Sequence, residues 1–407
     1  MMPTPMALDG IRVADFSWVG AGPFLTKPLA DHGADVVKVE SRRRVDPIRS
    51  MAPFRDGVAG VERSGYFANR NTSKRSICLD LKDPRGRELA LRLIEASDVV
   101  VNNFSPGTMD RLGLGYDDAR AVRPDVVYLE MPMMGTEGPH RDCRGYGLTI
   151  AAAGGLLGLS GYDDRPPVGT GTNYPDHVPN PLHAAVAVLA ALRKRRRTGQ
   201  GEYIELAQLE STINAIGPAV VAAAHGETVR PAGNDDVIAV PHGVYPCAGE
   251  DRWCAVAVFD DEQWAATRLV LSAVDWTRYP QFDTVDGRRR ARADLDRTIG
   301  QASIRWDADR LAAELTARGV AASPVQHADD LIRRDPQLRA RAHWVTLDHP
   351  VMGPSIYDRI PYRLSVTPGY LRTPAPLLGA DTRDVCTQLL GLTDNTYEVL
   401  EQQGVVG

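Results

Sequence analysis

Apolar and polar positions in the first part of the chain alternate between the spacing of strands and the spacing of helices. Residues 11–17 (IRVADFS) predict a strand, and residues 19–23 predict a tight turn. Residues 24–32 then have helical spacing, and residues 34–40 (ADVVKVE) predict a second strand. A strand, a helix and a strand in this order form a unit with two parallel strands, because the helix returns the chain across the sheet.

The same alternation continues further along the chain. Residues 85–96 predict an amphipathic helix, and residues 98–102 and 124–130 contain two short apolar strands. The alanine- and leucine-rich residues 179–193 predict the longest helix, and residues 203–206 predict a further strand. Helices that alternate with apolar strands indicate an α/β fold, and we expect a large, doubly wound, Rossmann-like domain.

A concentration of glycine, proline and polar residues at 226–246 marks a domain boundary. Beyond it, residues 253–258 predict a strand, and residues 261–270 and 307–319 predict two helices. These elements indicate a second, smaller α/β domain.

The predicted division of the chain therefore has two parts. The large domain comprises residues 1–225 and is completed by the C-terminal segment 335–407, whereas the small domain comprises residues 226–334. From residue 335 the chain loses regular periodicity until a helix-like stretch at 382–390.

Composition and charge narrow the classes of function. The chain has 407 residues, a net charge of -5 and five scattered cysteines without C-x-x-C spacing. An acidic protein binds anions only through a local basic site, so we expect no nucleic-acid partner. We see no secretory signal and no apolar run of the roughly 20 residues that cross a bilayer. We expect a cytoplasmic protein with no metal, no disulfide and no membrane partner.

The glycines at the first strand–helix turn are the first candidate site. Gly20 and Gly22 open a helix, and Glu40 ends the next strand, as in a dinucleotide-binding fingerprint. The third glycine position holds Leu25, whose bulk opposes close packing of helix and strand. A plain turn and a nicotinamide site are equally compatible with these residues, and other phosphate-bearing ligands stay open.

Two further segments carry candidate binding residues. Residues 69–82 (NRNTSKRSICLDLK) concentrate cations that can hold phosphates or form a solvated loop. Asn103 and Phe104 follow a strand, where open α/β sheets bind ligands, but burial of Phe104 explains it equally well. The basic run 193–197 indicates the end of a helix and a solvated surface.

Three histidines and one aspartate are further candidates for a functional role. His32, His177 and His183 show no ligand or base partner, which favours packing or surface positions. Asp176 in the sequence YPDH precedes the alanine-rich helix, and its local sequence favours a helix cap over catalysis.

The order of these segments along the chain favours a functional site over the structural alternatives given for each segment. Along nearly the whole chain it resembles the family III CoA-transferases. The matching segments are LDGIRVADFSWVGAGPF, GADVVKVE, NRNTSKRSICLDLK, NNFSPGTMDRLGLGY, GY with AAAGGL, YPD before its alanine-rich helix, TGQGEYIELA and APLLGADT. In that family the aspartate before the alanine-rich helix is the nucleophile, and Asp176 matches it.

The resemblance also implies a binding site, substrates and an assembly. CoA would lie along the sheet edge of the large domain, with Arg144 and Tyr146 approaching its phosphates and the thioester. The other implied contacts are Gly20, Ala21, Leu79, Lys82, Asn103, Phe104 and Arg111. The implied substrates are an acyl-CoA and a free carboxylic acid, with no permanently bound cofactor, and the implied assembly is an interlocked homodimer.

Two departures from the family pattern bear on specificity. Ser41 stands where members often carry arginine or proline, so we expect Arg42 or Arg43 to substitute. The glycine-rich loop that covers the site in some oxalate-using members is absent, and residues 241–245 (PHGVY) occupy roughly that region. The donor and acceptor acids therefore do not follow from the resemblance.

The implied chemistry uses a carboxylate, which is ionised at neutral pH without help from a base. Its attack on an acyl-CoA gives a mixed anhydride, and the released thiolate then forms an aspartyl-CoA thioester. Two alternatives remain. One is a 2-methylacyl-CoA racemase, which needs a histidine where this chain has Tyr146, a poor proton shuttle at pH 7. The other is a CoA-binding subunit without catalysis.

Overall fold

The computed structural model describes residues 5–407, and residues 1–4, the start of the segment where no secretory signal is expected, lie outside it. In the described part of the chain, the strands in chain order are β1 (Arg12–Asp15), β2 (Asp35–Glu40), β3 (Arg75–Cys78), β4 (Val99–Asn102), β5 (Val127–Glu130), β6 (Glu202–Glu205), β7 (His242–Pro246), β8 (Trp253–Ala257), β9 (Ala321–Pro324), β10 (Trp344–His349) and β11 (Gly353–Asp358).

The α-helices are numbered in the same way. They are α1 (Ala21–Asp31), α2 (Gly65–Arg70), α3 (Pro84–Glu95), α4 (Thr108–Arg111), α5 (Tyr116–Val122), α6 (Gly147–Ala153), α7 (Leu156–Leu159), α8 (Tyr174–His177), α9 (Pro179–Thr198), α10 (Gln208–Asn214), α11 (Gly217–Ala224), α12 (Asp261–Val270), α13 (Val285–Arg290), α14 (Arg292–Ser303), α15 (Ala308–Thr316), α16 (Ala328–Arg333), α17 (Pro336–Ala340), α18 (Thr382–Asp384) and α19 (Asp394–Gln402). Short 3₁₀ turns span Pro47–Ser50, Arg55–Gly57, Trp276–Arg278 and Pro280–Phe282, and a π-turn spans Val385–Leu389.

The described residues form two compact units. One contains the chain up to Gly158, Val168–Val229 and Arg339–Gly407, and the other contains Leu159–Pro167 and Arg230–Leu338. The predicted limits at residues 226 and 334 lie a few residues from these, and the segment Leu159–Pro167 had not been placed in the smaller part. The assignment of the two units as separate domains stays a prediction.

The larger unit is built on a parallel sheet. Its described strands have the order β3-β2-β1-β4-β5-β6, so the chain begins in the middle and winds outward on both sides. Ala14 of β1 lies opposite Val37 of β2 and Val100 of β4. The winding reverses between β1 and β4, which is the point where open α/β sheets bind ligands beyond the carboxyl ends of their strands.

Helices cover both faces of this sheet. Successive strand residues point to opposite faces, so Ala14 and Val37 pack with α3, α5 and α19, whereas Val13 and Val36 pack with α1 and α9. Each buried aliphatic side chain stabilises the fold by roughly 1.5–3 kcal/mol. The expectation of an α/β fold with a parallel sheet is thus confirmed, and the predicted strands and helices of this unit lie within a few residues of the observed ones.

Part of the C-terminal segment was predicted wrongly. It is not aperiodic after residue 335, because β10 and β11 form an antiparallel hairpin in which Trp344 pairs with Asp358, and α19 follows. In each hairpin strand a single residue is buried, His349 in β10 and Tyr357 in β11. The apolar alternation that reveals a strand in a sequence is therefore weak here.

The smaller unit is an antiparallel sheet of β7, β8 and β9 with helices packed on it. Its core includes Trp264 from α12, Ile299 from α14 and Leu311 from α15. Residues 241–245, which occupy roughly the region of the absent glycine-rich loop, fall largely within strand β7. Among the described helices, none is long and apolar enough to span a membrane.

Candidate active site

The turn between β1 and α1 lies at the switch point of the sheet. Asn103, just beyond β4, holds this turn because its Oδ1 accepts the Trp18 amide at 2.9 Å and its Nδ2 donates to the Trp18 carbonyl at 2.7 Å. The side chain expected to offer an amide to a ligand is thus engaged with the backbone. Phe104 is half-buried and meets the Trp18 ring edge-on at 5.5 Å.

Asp176 lies in the single turn α8 and faces the same region. Its Oδ2 accepts a hydrogen bond from the Gly147 amide at 3.1 Å. Helix α9 begins at Pro179 and receives no side-chain hydrogen bond at its N-cap, Val178. The helix-cap interpretation of Asp176 is therefore wrong, and its carboxylate points to α6 instead.

Two glycines form the walls around the Asp176 carboxylate. A Cβ atom on Gly20 would lie 2.7 Å from Cβ and 2.9 Å from Oδ2 of Asp176, and a Cβ atom on Gly147 would lie 2.9 Å from Oδ2. Side chains at these positions would collide with the carboxylate. The two glycines let the backbone approach a carboxylate that is only 5% exposed.

The electrostatic surroundings leave the Asp176 carboxylate weakly stabilised. Burial raises the pKa of Asp176 to about 6, and the Gly147 amide opposes that rise. Among the described residues, no lysine or arginine forms an ion pair with it (compare Arg49, which holds Glu40). A carboxylate with one hydrogen bond and no counterion keeps a lone pair free for a nearby electrophile.

A cleft of about 1130 Å³ opens in front of Asp176. It runs past the carboxyl ends of β1, β2 and β4. All the site residues expected from the resemblance line it, namely Gly20, Ala21, Leu79, Lys82, Asn103, Phe104, Arg111, Arg144, Tyr146 and Asp176. Leu79 is 1% exposed and packs in the core, whereas Tyr146 is 60% exposed. The structure thus brings together residues that lie far apart in the sequence.

The charge lining this cleft favours an anion. Its cations are Arg43, Arg44, Lys82, Arg111 and Arg144. Of its carboxylates, Glu40 is held by Arg49 at 2.8 Å and Asp80 by Arg43 at 2.8 Å, which leaves Asp176 as the third. Arg43, one of the two residues expected to substitute for the family's arginine, does line the cleft, and so does Arg44, which the sequence had not singled out.

Several earlier alternatives do not fit the structure. Glu40 is buried and bound by Arg49, so it is not free to serve as the acidic residue of a dinucleotide-binding fingerprint. Lys74 is 3% exposed and donates to Thr26 at 2.7 Å, so the cationic segment 69–82 is no solvated loop. Burial lowers the pKa of Lys74 to about 8. The part of that segment that lines the cleft is its end, residues 79–82.

His177 is a neighbour of Asp176 whose role the sequence did not reveal. One ring nitrogen lies 3.0 Å from the Tyr66 hydroxyl and the other 2.7 Å from the Thr172 hydroxyl, and the ring stacks on Phe24 at 4.1 Å. Burial, with the charge of Arg70, lowers the pKa of His177 to about 4, so it is neutral at pH 7. His177 therefore anchors α8, and only its adjacency to Asp176 in the sequence hinted at this.

The described residues contain no cluster of three side chains that could hold a metal ion. The arrangement is a buried, weakly stabilised carboxylate in the lining of a cleft that also contains five cationic side chains. Such an arrangement suits acyl transfer on a large anionic substrate.

Comparison with known proteins assigns the family. The sequence model of CoA-transferase family III matches residues 8–382. The chain belongs to CoA-transferase family III, and the resemblance seen in its motifs is confirmed. The protein is accordingly a transferase.

Three relatives illustrate the similarity. The chain is 30% identical over 404 residues to succinyl-CoA–D-citramalate CoA-transferase of Chloroflexus aurantiacus, covering 99% of this chain and 98% of the relative. It is 30% identical over 421 residues to formyl-CoA:oxalate CoA-transferase of Rhodopseudomonas palustris, and the alignment covers 98% of this chain and 97% of the relative. Among solved structures, a CAIB/BAIF family protein from Brucella suis superposes with a TM-score of 0.86 at 30% identity, covering 95% of this chain and 100% of the other.

Proposed function

We propose that the protein transfers CoA from an acyl-CoA to a free carboxylic acid, with Asp176 as the covalent nucleophile. The observation that carries this proposal is the position of Asp176, which is buried between two glycines and lines the cation-lined cleft. The cations lining the cleft suit the phosphates of CoA, and in this proposal the thioester of the bound acyl-CoA lies against Asp176.

The proposed reaction has four steps, two that release the donor acid and two that form the new acyl-CoA. A carboxylate oxygen of Asp176 attacks the thioester carbonyl and expels the CoA thiolate, which leaves an aspartyl–acyl anhydride. The thiolate attacks the aspartyl carbonyl, releases the donor acid as its carboxylate and forms an aspartyl-CoA thioester. The acceptor carboxylate then attacks this thioester to give a second anhydride, and the returning thiolate forms the new acyl-CoA and frees Asp176. No proton is gained or lost overall, so no general base is required.

The pH dependence of transfer follows from the environment of Asp176. Its carboxylate form is the nucleophile, and burial raises its pKa to about 6. We expect kcat/KM for the acyl-CoA to rise as pH increases through about 6 and to be level by pH 8. A rate that stayed level down to pH 4.5 would contradict a buried carboxylate as the nucleophile.

The cleft cations give a second prediction. Arg111→Gln or Arg144→Gln should raise KM for the acyl-CoA about tenfold and change kcat less, because phosphate contacts act alike in ground and transition states. Arg120→Gln, an exposed arginine of α5 outside the cleft, is the matched control. Unchanged affinity for CoA in calorimetry with both cleft variants would place the ligand elsewhere.

Racemization is the second candidate, since a carboxyl group with a pKa of about 6 also suits proton transfer. A racemase exchanges the α-proton of 2-methylacyl-CoA with solvent, whereas a transferase attacks only the carbonyl. We expect no enzyme-dependent deuterium uptake in deuterium oxide, and CoA transfer only when a free acid is present. Rapid exchange of the α-proton without added acid would make racemization the favoured function instead of CoA transfer. Absence of both activities would favour a non-catalytic CoA-binding subunit.

The substrates can be found by screening purified protein against acyl-CoAs and free acids with mass spectrometry. Succinyl-CoA and formyl-CoA with dicarboxylic acceptors are the first pairs to test, because relatives are named for such acids.

We also propose that the protein acts in the cytoplasm as an interlocked homodimer. In the single chain, none of the residues of α11 is buried although the helix reads GPAVVAAA. Leu182, Val186 and Leu189 form an exposed apolar stripe along α9. These apolar faces support a second copy as the partner that covers them.

A further inference from the structure

Val19, in the turn beside Asp176, has an unusual backbone conformation. Its φ is 61°, in the left-handed region that β-branched residues rarely adopt. Such a conformation is strained and persists only where surrounding contacts hold it, and residues of this kind cluster at active sites. Val19 directly precedes Gly20, whose backbone packs against the Asp176 carboxylate.

The contact that holds Val19 comes from a buried carboxylate. Oδ1 of Asp46 accepts the Val19 amide at 3.1 Å and the Ile48 amide at 3.2 Å. Oδ2 of Asp46 lies 3.0 Å from Nζ of Lys38, and both side chains are fully buried.

Lys38 extends this support to the same turn. Its Nζ donates to the Ser17 carbonyl at 2.7 Å. The pair of Asp46 and Lys38 therefore binds the turn at two points, one on each side of Trp18. Neither Asp46 nor Lys38 lines the cleft, so both support the turn without contacting a ligand bound there.

We propose that Asp46 is a positioning residue for the reaction, holding Val19 in its left-handed conformation so that Gly20 closes against Asp176. This inference rests on the proposed role of Asp176. Because Gly20 has no room for even one extra atom beside the carboxylate, a small shift of the turn changes the wall of the site.

The loss of Asp46 should act through Val19. Without its acceptor, the Val19 amide is left unpaired and the strained valine can relax to a negative φ, which displaces Gly20. Glycine adopts positive φ about as easily as negative φ. A glycine at position 19 should therefore keep the native turn with less help from Asp46.

The experiment is a double-mutant cycle with Asp46→Ala, Val19→Gly and the double variant, assayed for CoA transfer with the acid pair found in the screen. We expect Asp46→Ala to lower kcat about 100-fold while KM for the acyl-CoA changes less than about threefold. Val19→Gly alone should stay within about threefold of wild type, and adding it to Asp46→Ala should restore kcat about tenfold.

A matched control is Asp35→Ala, because Asp35 pairs with Arg12 and Arg75 at the start of β2, the other end of the strand. It should lower the melting temperature as Asp46→Ala does and leave kcat unchanged. A general loss of folding would not be repaired by Val19→Gly, so absence of any rescue overturns the inference. Wild-type turnover of Asp46→Ala, with Asp176→Ala inactive, also overturns it. Wild-type turnover of Asp176→Ala refutes the proposed function instead.

Discussion

Replacement of Asp176 by alanine is expected to lower kcat for CoA transfer by at least about a thousandfold, or about 4 kcal/mol of transition-state free energy. In the proposed mechanism the Asp176 carboxylate forms the bond to the acyl carbon. Among the described residues that line the cleft, the other two carboxylates form ion pairs with arginines and cannot replace it. Affinity for CoA should stay within about threefold, because the cleft cations are untouched. Kinetics and calorimetry on the same protein measure the two quantities.

Asp176→Asn separates chemistry from packing. Asparagine keeps the size of the side chain and an oxygen for the Gly147 amide, but it is not a nucleophile. We expect it to lose as much activity as the alanine variant. Asp117→Ala, an exposed carboxylate on α5, serves as the control and should keep the wild-type rate. Wild-type turnover by the asparagine variant would remove Asp176 from the mechanism.

Replacement of Gly20 by alanine is expected to lower kcat at least about 100-fold, because the added methyl group displaces the nucleophile. The methyl carbon would lie 2.7 Å from Cβ and 2.8 Å from Cγ of Asp176, closer than such atoms approach. Steady-state kinetics measure the loss, and circular dichroism verifies that the variant folds.

The control for this variant is Gly158→Ala. A Cβ atom on Gly158 meets nothing within 4 Å, so this variant should keep full activity. An active Gly20→Ala enzyme would show that the wall of the Asp176 site tolerates an extra carbon, contrary to the geometry.

Most of the large sheet was predictable because its strands β1 to β5 are buried almost throughout, whereas the residues of the edge strand β6 are half-buried or exposed. Segments such as VVVN in β4 and VYLE in β5 are buried at every residue and stand out as short apolar runs between helices. The hairpin of β10 and β11 lacked this signal, since most of its side chains are half-buried or exposed. A strand that buries one residue cannot be recognised from periodicity.

The candidate site was predictable only through the order of its motifs. Taken alone, Asp176 was better explained as a helix cap, and the structure shows instead a hydrogen bond from Gly147, which lies 29 residues away in the sequence. The contact of Asp46 with Val19 likewise spans 27 residues. Contacts of this kind form because the folded sheet brings distant loops together, so they cannot be predicted from the local sequence.

The central claim is that Asp176 becomes covalently bonded during turnover. The most direct measurement is mass spectrometry of the peptide that contains residue 176 after incubation with the acyl-CoA that supports the fastest transfer, without acceptor acid, followed by hydroxylamine. We predict a hydroxamate on Asp176 together with loss of activity, and no such modification in Asp176→Asn. An unmodified Asp176 in an enzyme that still turns over, or a hydroxamate on another residue, would contradict the claim.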